Sequence, residues 1–520
     1  MLHSGGNFAS GIIDLGGLQV YEASTSASTL TKVWGVYEGG DDGKGFSVYE
    51  PTGIPQGFHM LGSYSQPNNK PLFGWSLVAK DVSANTNNPT LKKPVNYTLV
   101  WNTGSLKIDQ DGPIYVWLPI APDGYKAVGH VVTNTTDQPS LDRVMCVRSD
   151  FTDQCETNNL IWGLDTFNVF DVRPNNRGIQ APGVRVGTFA AQTGTPNPPS
   201  IACLKNNNPI PKYMPNLEQI KAILQVYSPV MYLHPDENYF PSSVEWFFTN
   251  GAVLYKKGQM NPEMIKPNGS NLPQDPHNDG AYYIGLPSDA AAQEKVKKGD
   301  LKSAISYVHV KPMFGGTFTD VAIWTFYPFN GPARAKVEFL TLNLGKIGEH
   351  VGDWEHVTLR VSNFNGELKQ VYFSQHSKGM WLDSSEIEYQ SGNKPVYYSS
   401  LHGHASYPHA GLHLVGQNDV GIRNDTDKGD SVLDLGASQL VSAEYLGSEV
   451  VEPPWLNYYR EWGPKIDYNI DEEVKKLEKI LPGRLKSTLE NIVKKLPSEV
   501  LGEEGPTGPK VKDNWNGDER

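Results

Sequence analysis

Hydrophobic and polar positions alternate in short runs along most of this chain, and Gly or Pro interrupts nearly every run. That is the pattern of strands joined by turns. The first 200 residues repeat it. One unit reads FSVYEPTGIPQGFHMLGSYSQPNNKPLFGWSLVAKD (46–81) and a second IYVWLPIAPDGYKAVGHVVTNTTDQPSLDRVMCVRSD (114–150). Both follow aromatic-x-Pro-x-x-(Pro)-x-Gly-aromatic-x-x-(Leu/Val)-Gly and close on a run ending in Asp; residues 170–206 form a weaker third copy. One such unit cannot bury its own apolar face. Three predict a β-prism-like, threefold packing of small antiparallel sheets, although a β-trefoil or a sandwich satisfies the same pattern. The loop tips of a prism would bind carbohydrate or a membrane surface, or the module would merely present the rest of the chain.

Residues 189–215, rich in Pro, Asn and Thr, read as a linker. LEQIKAILQVYSP follows Asn216 with Leu217, Ile220, Ile223 and Leu224 on one face, which predicts a short helix stopped by Pro229. VMYLHPDENYFPSSVEWFF reads as a strand opening a second region. A solvated helix is expected near Ala290–Lys298. Strands return with AISYVHVKP, FTDVAIWTFYPFNGP, LKQVYFSQH and KPVYYSSLHGHASYPHAGLH, and EPPWLNYYREWGPKIDY reads as a closing strand and turn. Residues 471–497 predict amphipathic helix broken at Pro482, and the polar tail after it is expected to lie over the surface. The expectation is an all-β chain: a prism-like domain (1–200), a linker and short helix (201–228), a β-sandwich with a few peripheral helices (229–470), and a helical segment with its tail (471–520).

The stretch GEHVGDWEHVTLR (348–360) carries the candidate chemistry. In an extended chain Asp353 and Glu355 share a face with Val357 and Leu359, the face that should point into a core. Two inward carboxylates are costly unless a cation or donors compensate them. A hard divalent cation, reached also by His350 from the preceding loop, would do so. The bland alternative is a carboxylate pair tied to backbone N–H groups and to Arg360 or Arg423. Of the 13 histidines, His350, His356, His376, His402, His404, His409 and His413 crowd into one window. His402 and His404 would share a strand face, and with His409, Asp236 and Glu237 they are candidates for an outer shell around the cation. Ca²⁺ or Mg²⁺ suits such a site better than Zn²⁺.

Length and composition narrow the picture. At 520 residues the chain should form two or three domains. A net charge of −12 argues against a nucleic-acid surface. No apolar run is long enough to cross a bilayer as a helix, and no signal peptide is visible, which points to a cytoplasmic or peripheral-membrane protein. Of three cysteines, Cys146 and Cys155 could bridge across a turn with Cys203 alone, but reduced thiols are the preferred reading. No G-x-S-x-G, H-E-x-x-H, P-loop or G-x-G-x-x-G signature occurs.

From GIIDLGGLQV to the C-terminal GEEGPTGPKVKDNWNGDER, the chain resembles the plant members of the vacuolar protein sorting-associated protein 62 family. The phrases MPNLEQI, FTDVAIWTFYPFNGPA, GEHVGDWEHVTLRVSNFNGEL, YFSQHSKGMWLD and SSLHGHASYPHAG carry the likeness. The family name implies trafficking without naming a chemistry. Over roughly 320–410, His350-x-x-Asp353-Trp354-Glu355 after FYPFNGP also resembles the heptapeptide of necrosis-inducing NPP1-type cytolysins. That resemblance implies a β-sandwich holding a divalent cation and binding sphingolipid glycan headgroups. His350, Asp353 and Glu355 would then be metal-shell residues. Asn330 stands where that family has a further Asp, so a negative charge is missing, and Val351-Gly352 replace the second His.

The expected function is therefore divalent-cation-dependent recognition of a membrane lipid headgroup or a glycan, non-enzymatic, with a membrane-active, toxin-like role in defence as one setting for it. A metal-dependent hydrolase using Glu355 or His350 as base and a trafficking scaffold without ligand chemistry are the alternatives.

Overall fold

The computed structural model describes residues 7–40, 43–194, 198–376, 378–417, 420–466, 468–479, 481–494, 501 and 505–520. The chain divides into two compact units: Met1–Asn216 with Pro312–Thr319 and Val361–Glu367, and Leu217–Lys311 with Asp320–Arg360 and Leu368–Arg520.

Unit 1 is built from one strand pattern used three times. Leu30–Val36, Phe46–Pro51 and Tyr64–Pro67 form one antiparallel sheet. Asn96–Asn102, Tyr115–Ile120 and Val131–Thr133 form the second, and Cys155–Leu164, Phe167–Pro174 and Phe189–Thr193 the third. Each repeat also supplies a smaller sheet, centred on Trp75–Asp81 (paired with Leu18–Ser24), on Cys146–Arg148 and on Cys203–Lys205. The repeat therefore begins earlier than the aromatic-x-Pro unit suggests. Its first strand carries the motif KVWG, LVWN or LIWG, which contains Trp34, Trp101 or Trp162. Trp34 and Trp162 enter a core shared by the three larger sheets, with Trp101 packed against it and stacked on Phe167 at 4.0 Å. A second core, with Leu18, Leu77, Leu91, Val147, Val184 and Leu204, gathers the smaller sheets.

The repeated Leu/Val-Gly has a steric reason. A Cβ on Gly129 would lie 2.8 Å from the Gly62 Cα and 2.9 Å from the Thr188 Cβ, so two repeats meet there backbone to backbone. Residues 189–193 and 203–205, assigned above to a linker, are strands of the third repeat. The cysteines also differ from expectation: Cys155 bonds Cys203, while Cys146 is free and buried. The bridge joins an edge strand of one sheet to the central strand of another, which only the folded repeat brings together.

Unit 2 is organised on a six-stranded sheet in the order Lys378–Asp383, Leu368–Gln375, His350–Ser362, Phe318–Asn330, Ser306–Met313, Ser438–Ser442. Every residue of Phe318–Asn330 is buried, so its alternation separates two buried faces rather than core from solvent. From one face Tyr327 Oη reaches Met231 Sδ and Ser399 Oγ, each at 3.3 Å, in a second sheet containing Val230–Tyr232 and Lys394–Ser399. The other face meets a core of Trp324, Trp354, Trp455, Trp462 and Trp515. A four-stranded sheet, Leu340–Asn343, Arg334–Val337, Val420–Thr426 and Gly411–Gln417, shares a core with the helices Ile470–Glu478 and Gly483–Lys494.

The helix at Leu217–Tyr227 matches its pattern, and so does Ala290–Lys297, capped by Asp289. Three segments differ. SVEWFF is a helix, Val244–Thr249, because Ser243 caps it by accepting from the Trp246 N–H at 3.0 Å. Pro454–Asn457 is a 3-10 turn and not a strand, and it delivers Trp455 to the core. The tail 505–520 is docked rather than superficial: Trp515, Asp518 and Glu519 are 2%, 8% and 3% exposed. Asp518 accepts from Arg360, which is held bidentately by Asp320, and the Lys311 ammonium donates to the carbonyls of Asn514 and Gly517. A single Trp in an otherwise polar tail was the one sequence signal of that docking.

Candidate functional site

The His350–Ser362 strand places Asp353 over the ring of His404. His404 Nδ1–H donates to Asp353 Oδ2 at 2.9 Å, and its Nε2 lies 3.2 Å from the Tyr239 carbonyl and 3.9 Å from Glu237 Oε2. Both ring nitrogens thus face acceptors. The imidazole is 1% exposed and stacks on Tyr327 at 3.8 Å and 8°. Glu237 is held by three backbone N–H donors, from Asn238, Tyr239 and His402, at 2.9, 2.9 and 2.7 Å. His402 and His404 do not share a strand face. They sit in a turn with φ of +67° and +57°, a region that side-chain-bearing residues occupy at a cost, and the Glu237 carboxylate on the His402 N–H helps hold it.

Burial alone would raise the Asp353 carboxyl. The His404 hydrogen bond, with His350 and Lys512 nearby, instead holds it below the ordinary carboxylate range, so it is ionised at neutral pH. His350 Nδ1–H donates to the Gly352 carbonyl at 3.1 Å, which leaves Nε2 with a lone pair, and burial keeps this imidazole below its ordinary value. The Asn330 amide nitrogen donates to the carbonyls of Gly331 and Gly348 at 3.0 and 2.8 Å, which directs its oxygen the other way. Glu355 is engaged separately, accepting from Ser374 Oγ at 2.6 Å.

Asn330, His350, Asp353 and Glu355 line one cavity of about 1340 Å³. Of the other candidates, His356, His376 and Arg423 also line it. Asp236 and His409 are exposed, and His413 bonds back to the His409 carbonyl. His356 faces Glu519 Oε2 at 3.0 Å, and His376 Nε2 meets Asn424 Oδ1 at 3.2 Å. Arg360 is committed to Asp320 and Asp518, and Arg423 to Asp425.

The donor chemistry decides what cation would fit. One carboxylate and one amide oxygen would suit a hard ion that keeps several waters, with the imidazole holding one of those waters. Among the described residues no three His, Cys, Asp or Glu side chains converge into a group that could hold a metal ion, so a dehydrated tetrahedral Zn²⁺ does not fit. What sequence reasoning missed is the contribution of the tail. Pro506, Thr507, Lys512, Asp513, Asn514 and Glu519 line the same cavity.

Fold and site together describe a β-rich, two-unit protein with a large cavity in its second unit. A family model described as vacuolar protein sorting-associated protein 62 matches residues 1–519, and the chain belongs to that family. Vacuolar protein sorting-associated protein 62 of Saccharomyces cerevisiae is 24% identical over 284 residues, 46% of this chain and 58% of that protein. The putative vacuolar protein sorting-associated protein TDA6 of the same yeast is 24% identical over 224 residues, 36% of this chain and 46% of that protein. The chain thus spans about half the length of these curated relatives.

Among solved structures, GNIP1Aa from Chromobacterium piscinae matches with a TM-score of 0.28 and 22% identity, covering 41% of this chain and 40% of that one. NLPPya in complex with glucosamine matches with a TM-score of 0.25 and 13% identity, covering 46% and 80%. At such scores neither likeness bears on the chemistry of the site. No helix among the described residues is long and apolar enough to cross a membrane.

Proposed function

We propose that this chain recognises a polar headgroup, presented by a membrane lipid or a glycan, in the cavity of unit 2, with a hydrated divalent cation bridging protein and ligand. One observation carries the reading. A buried, ionised Asp353 opens onto a large cavity beside His350 and Asn330, each with its remaining polar atom fixed by a backbone carbonyl. Such a set would hold a Ca²⁺ or Mg²⁺ ion through waters, and the ion would supply a positive anchor for headgroup oxygens. His404 orients Asp353, Tyr327 fixes the plane of His404, and Glu237 secures the turn that carries it. Residues that bind and orient are thus accounted for in a non-enzymatic role. A place in vacuolar trafficking, as the family name suggests, would follow from recognising a particular membrane.

The test is metal analysis of chelator-free protein combined with vesicle and glycan binding, with and without EDTA. Cation-dependent binding that Asp353→Asn abolishes is the expected result. Absence of bound cation together with unchanged binding by Asp353→Asn overturns the reading, and turnover of an ester or glycoside that needs the cation would replace it with hydrolysis.

A further inference from the structure

The cavity of unit 2 extends beyond its polar residues. One wall is the strand Val420–Thr426, on which Asn424, Ile422 and Val420 fall on the same face. Asn424 belongs to the polar part, where its Oδ1 lies 3.2 Å from His376 Nε2, and Val420 stands about 13 Å further along the strand. Val415, on the edge strand Gly411–Gln417, is the register partner of Ile422, so the two side chains stand side by side. Ile492 of the helix Gly483–Lys494 and Val511 of the docked tail line the cavity as well.

The helix that packs on this face covers only part of it. Ala335, the partner of Ile422 on the neighbouring strand, is 0% exposed in a core with Leu485, Leu489 and Ile492. Ile422 and Val420 are half-buried at the border of that core, and Val415 is left 59% exposed. Val511 is 41% exposed. A lone exposed valine on a convex surface is ordinary. Two that line one cavity, beside half-buried Ile422 and Val420, form an apolar slot that a ligand can reach. At about 1340 Å³ the cavity also exceeds the roughly 300–1,000 Å³ of ordinary small-molecule sites, which leaves room beyond a polar head.

We propose that the ligand of this cavity is an amphiphile, whose polar head lies against Asp353, His350 and Asn330 and whose alkyl chain lies in the slot that Val415, Ile422 and Val511 line. This rests on the reading of the cavity as the binding site and narrows it from a headgroup in general to a lipid. A free glycan would leave the slot walls against water, whereas a chain removes both its own apolar surface and theirs from solvent. The strand that carries Asn424 at the polar part and Ile422 and Val420 beyond it gives head and chain one continuous wall. Val511 completes the slot only because the 505–520 segment is docked, by Trp515 in the core and Asp518 on Arg360.

The experiment titrates the full chain by calorimetry with n-alkyl glucosides and n-alkyl phosphocholines, hexyl to dodecyl, each below its micellar concentration. Glucose and phosphocholine serve as chainless controls. In at least one series affinity should rise about two- to fourfold for each added methylene until the slot is full. Val415→Ser and Val511→Ser change exposed side chains, so the fold is kept, and each should weaken dodecyl binding about three- to tenfold while sparing hexyl. Val451→Ser, at a position 79% exposed and outside the cavity, should leave the series unchanged. Affinity that does not grow with chain length in either series, or equal effects of Val415→Ser and Val451→Ser, overturns the proposal. In that event, vesicle or glycan binding that Asp353→Asn abolishes leaves the cavity reading standing. Growth with chain length that Val415→Ser removes and Asp353→Asn leaves untouched at every length supports the slot and overturns the placing of the head.

Discussion

Glu519 is the most exacting point at which to probe the docked tail. Its carboxylate is 3% exposed, and burial alone would push it up. The neighbouring His356 and the hydrogen bonds from His356 and Thr358 overcome that and bring it to about 2, against an ordinary value of 4.5. At about 1.4 kcal/mol per pH unit, the gap is worth about 3 kcal/mol. The folded value lies below the unfolded one, so this stability is fully present above pH 4.5 and is lost as pH falls towards 2. Glu519→Gln removes the charge and keeps the shape. Urea unfolding followed by tryptophan fluorescence should find the variant about 3 kcal/mol less stable near pH 6. The difference from the native chain should shrink towards zero near pH 2. A difference that stays constant across that range, or one below about 1 kcal/mol near pH 6, would falsify the assignment of a buried, paired Glu519.

Four further outcomes follow from the packing. Arg360→Met leaves Asp320 and Asp518 buried without their guanidinium, and should cost about 3–5 kcal/mol in chemical denaturation; a loss near zero would mean the carboxylates are hydrated. Gly129→Ala forces a Cβ to within 2.8 Å of the Gly62 Cα, and thermal unfolding of unit 1 should show a loss of about 1–3 kcal/mol, whereas Gly124→Ala meets nothing within 4 Å and is limited to the strain of its positive φ. The Cys155–Cys203 bridge closes a 48-residue separation, so Cys155→Ser/Cys203→Ser should lose about 4 kcal/mol by loop entropy. In the native chain thiol titration should find Cys146 silent until denaturant is added, because burial pushes its thiol up to about 12; rapid labelling of the folded protein would contradict its burial.

Much was legible without coordinates because it depends on neighbours in sequence. The twofold alternation announced the strands, and the aromatic-x-Pro units with their Leu/Val-Gly announced a threefold repeat. The helix at Leu217–Tyr227 followed from one-sided periodicity, and that at Ala290–Lys297 from a run of alternating charges. Asp353 was singled out as a costly inward carboxylate; it is buried and lines a cavity with His350 and Asn330. Membership of the vacuolar protein sorting-associated protein 62 family was likewise legible, from phrases spread along the chain.

What only the tertiary structure decided are pairings between distant segments, whose energies no local pattern records. His404 meets Asp353 across 51 residues, and Glu519 meets His356 across 163. Cys155 bonds Cys203, not the nearer Cys146, because the third repeat folds its two sheets together. The tail reads by composition as a polar segment lying over the surface, yet Arg360 and Lys311, buried in the sheet, need partners and Asp518 and two tail carbonyls supply them. Sequence alone fixes where charge must be compensated, because burying a carboxylate or a guanidinium is costly wherever it occurs. Which group compensates it is a property of the folded chain.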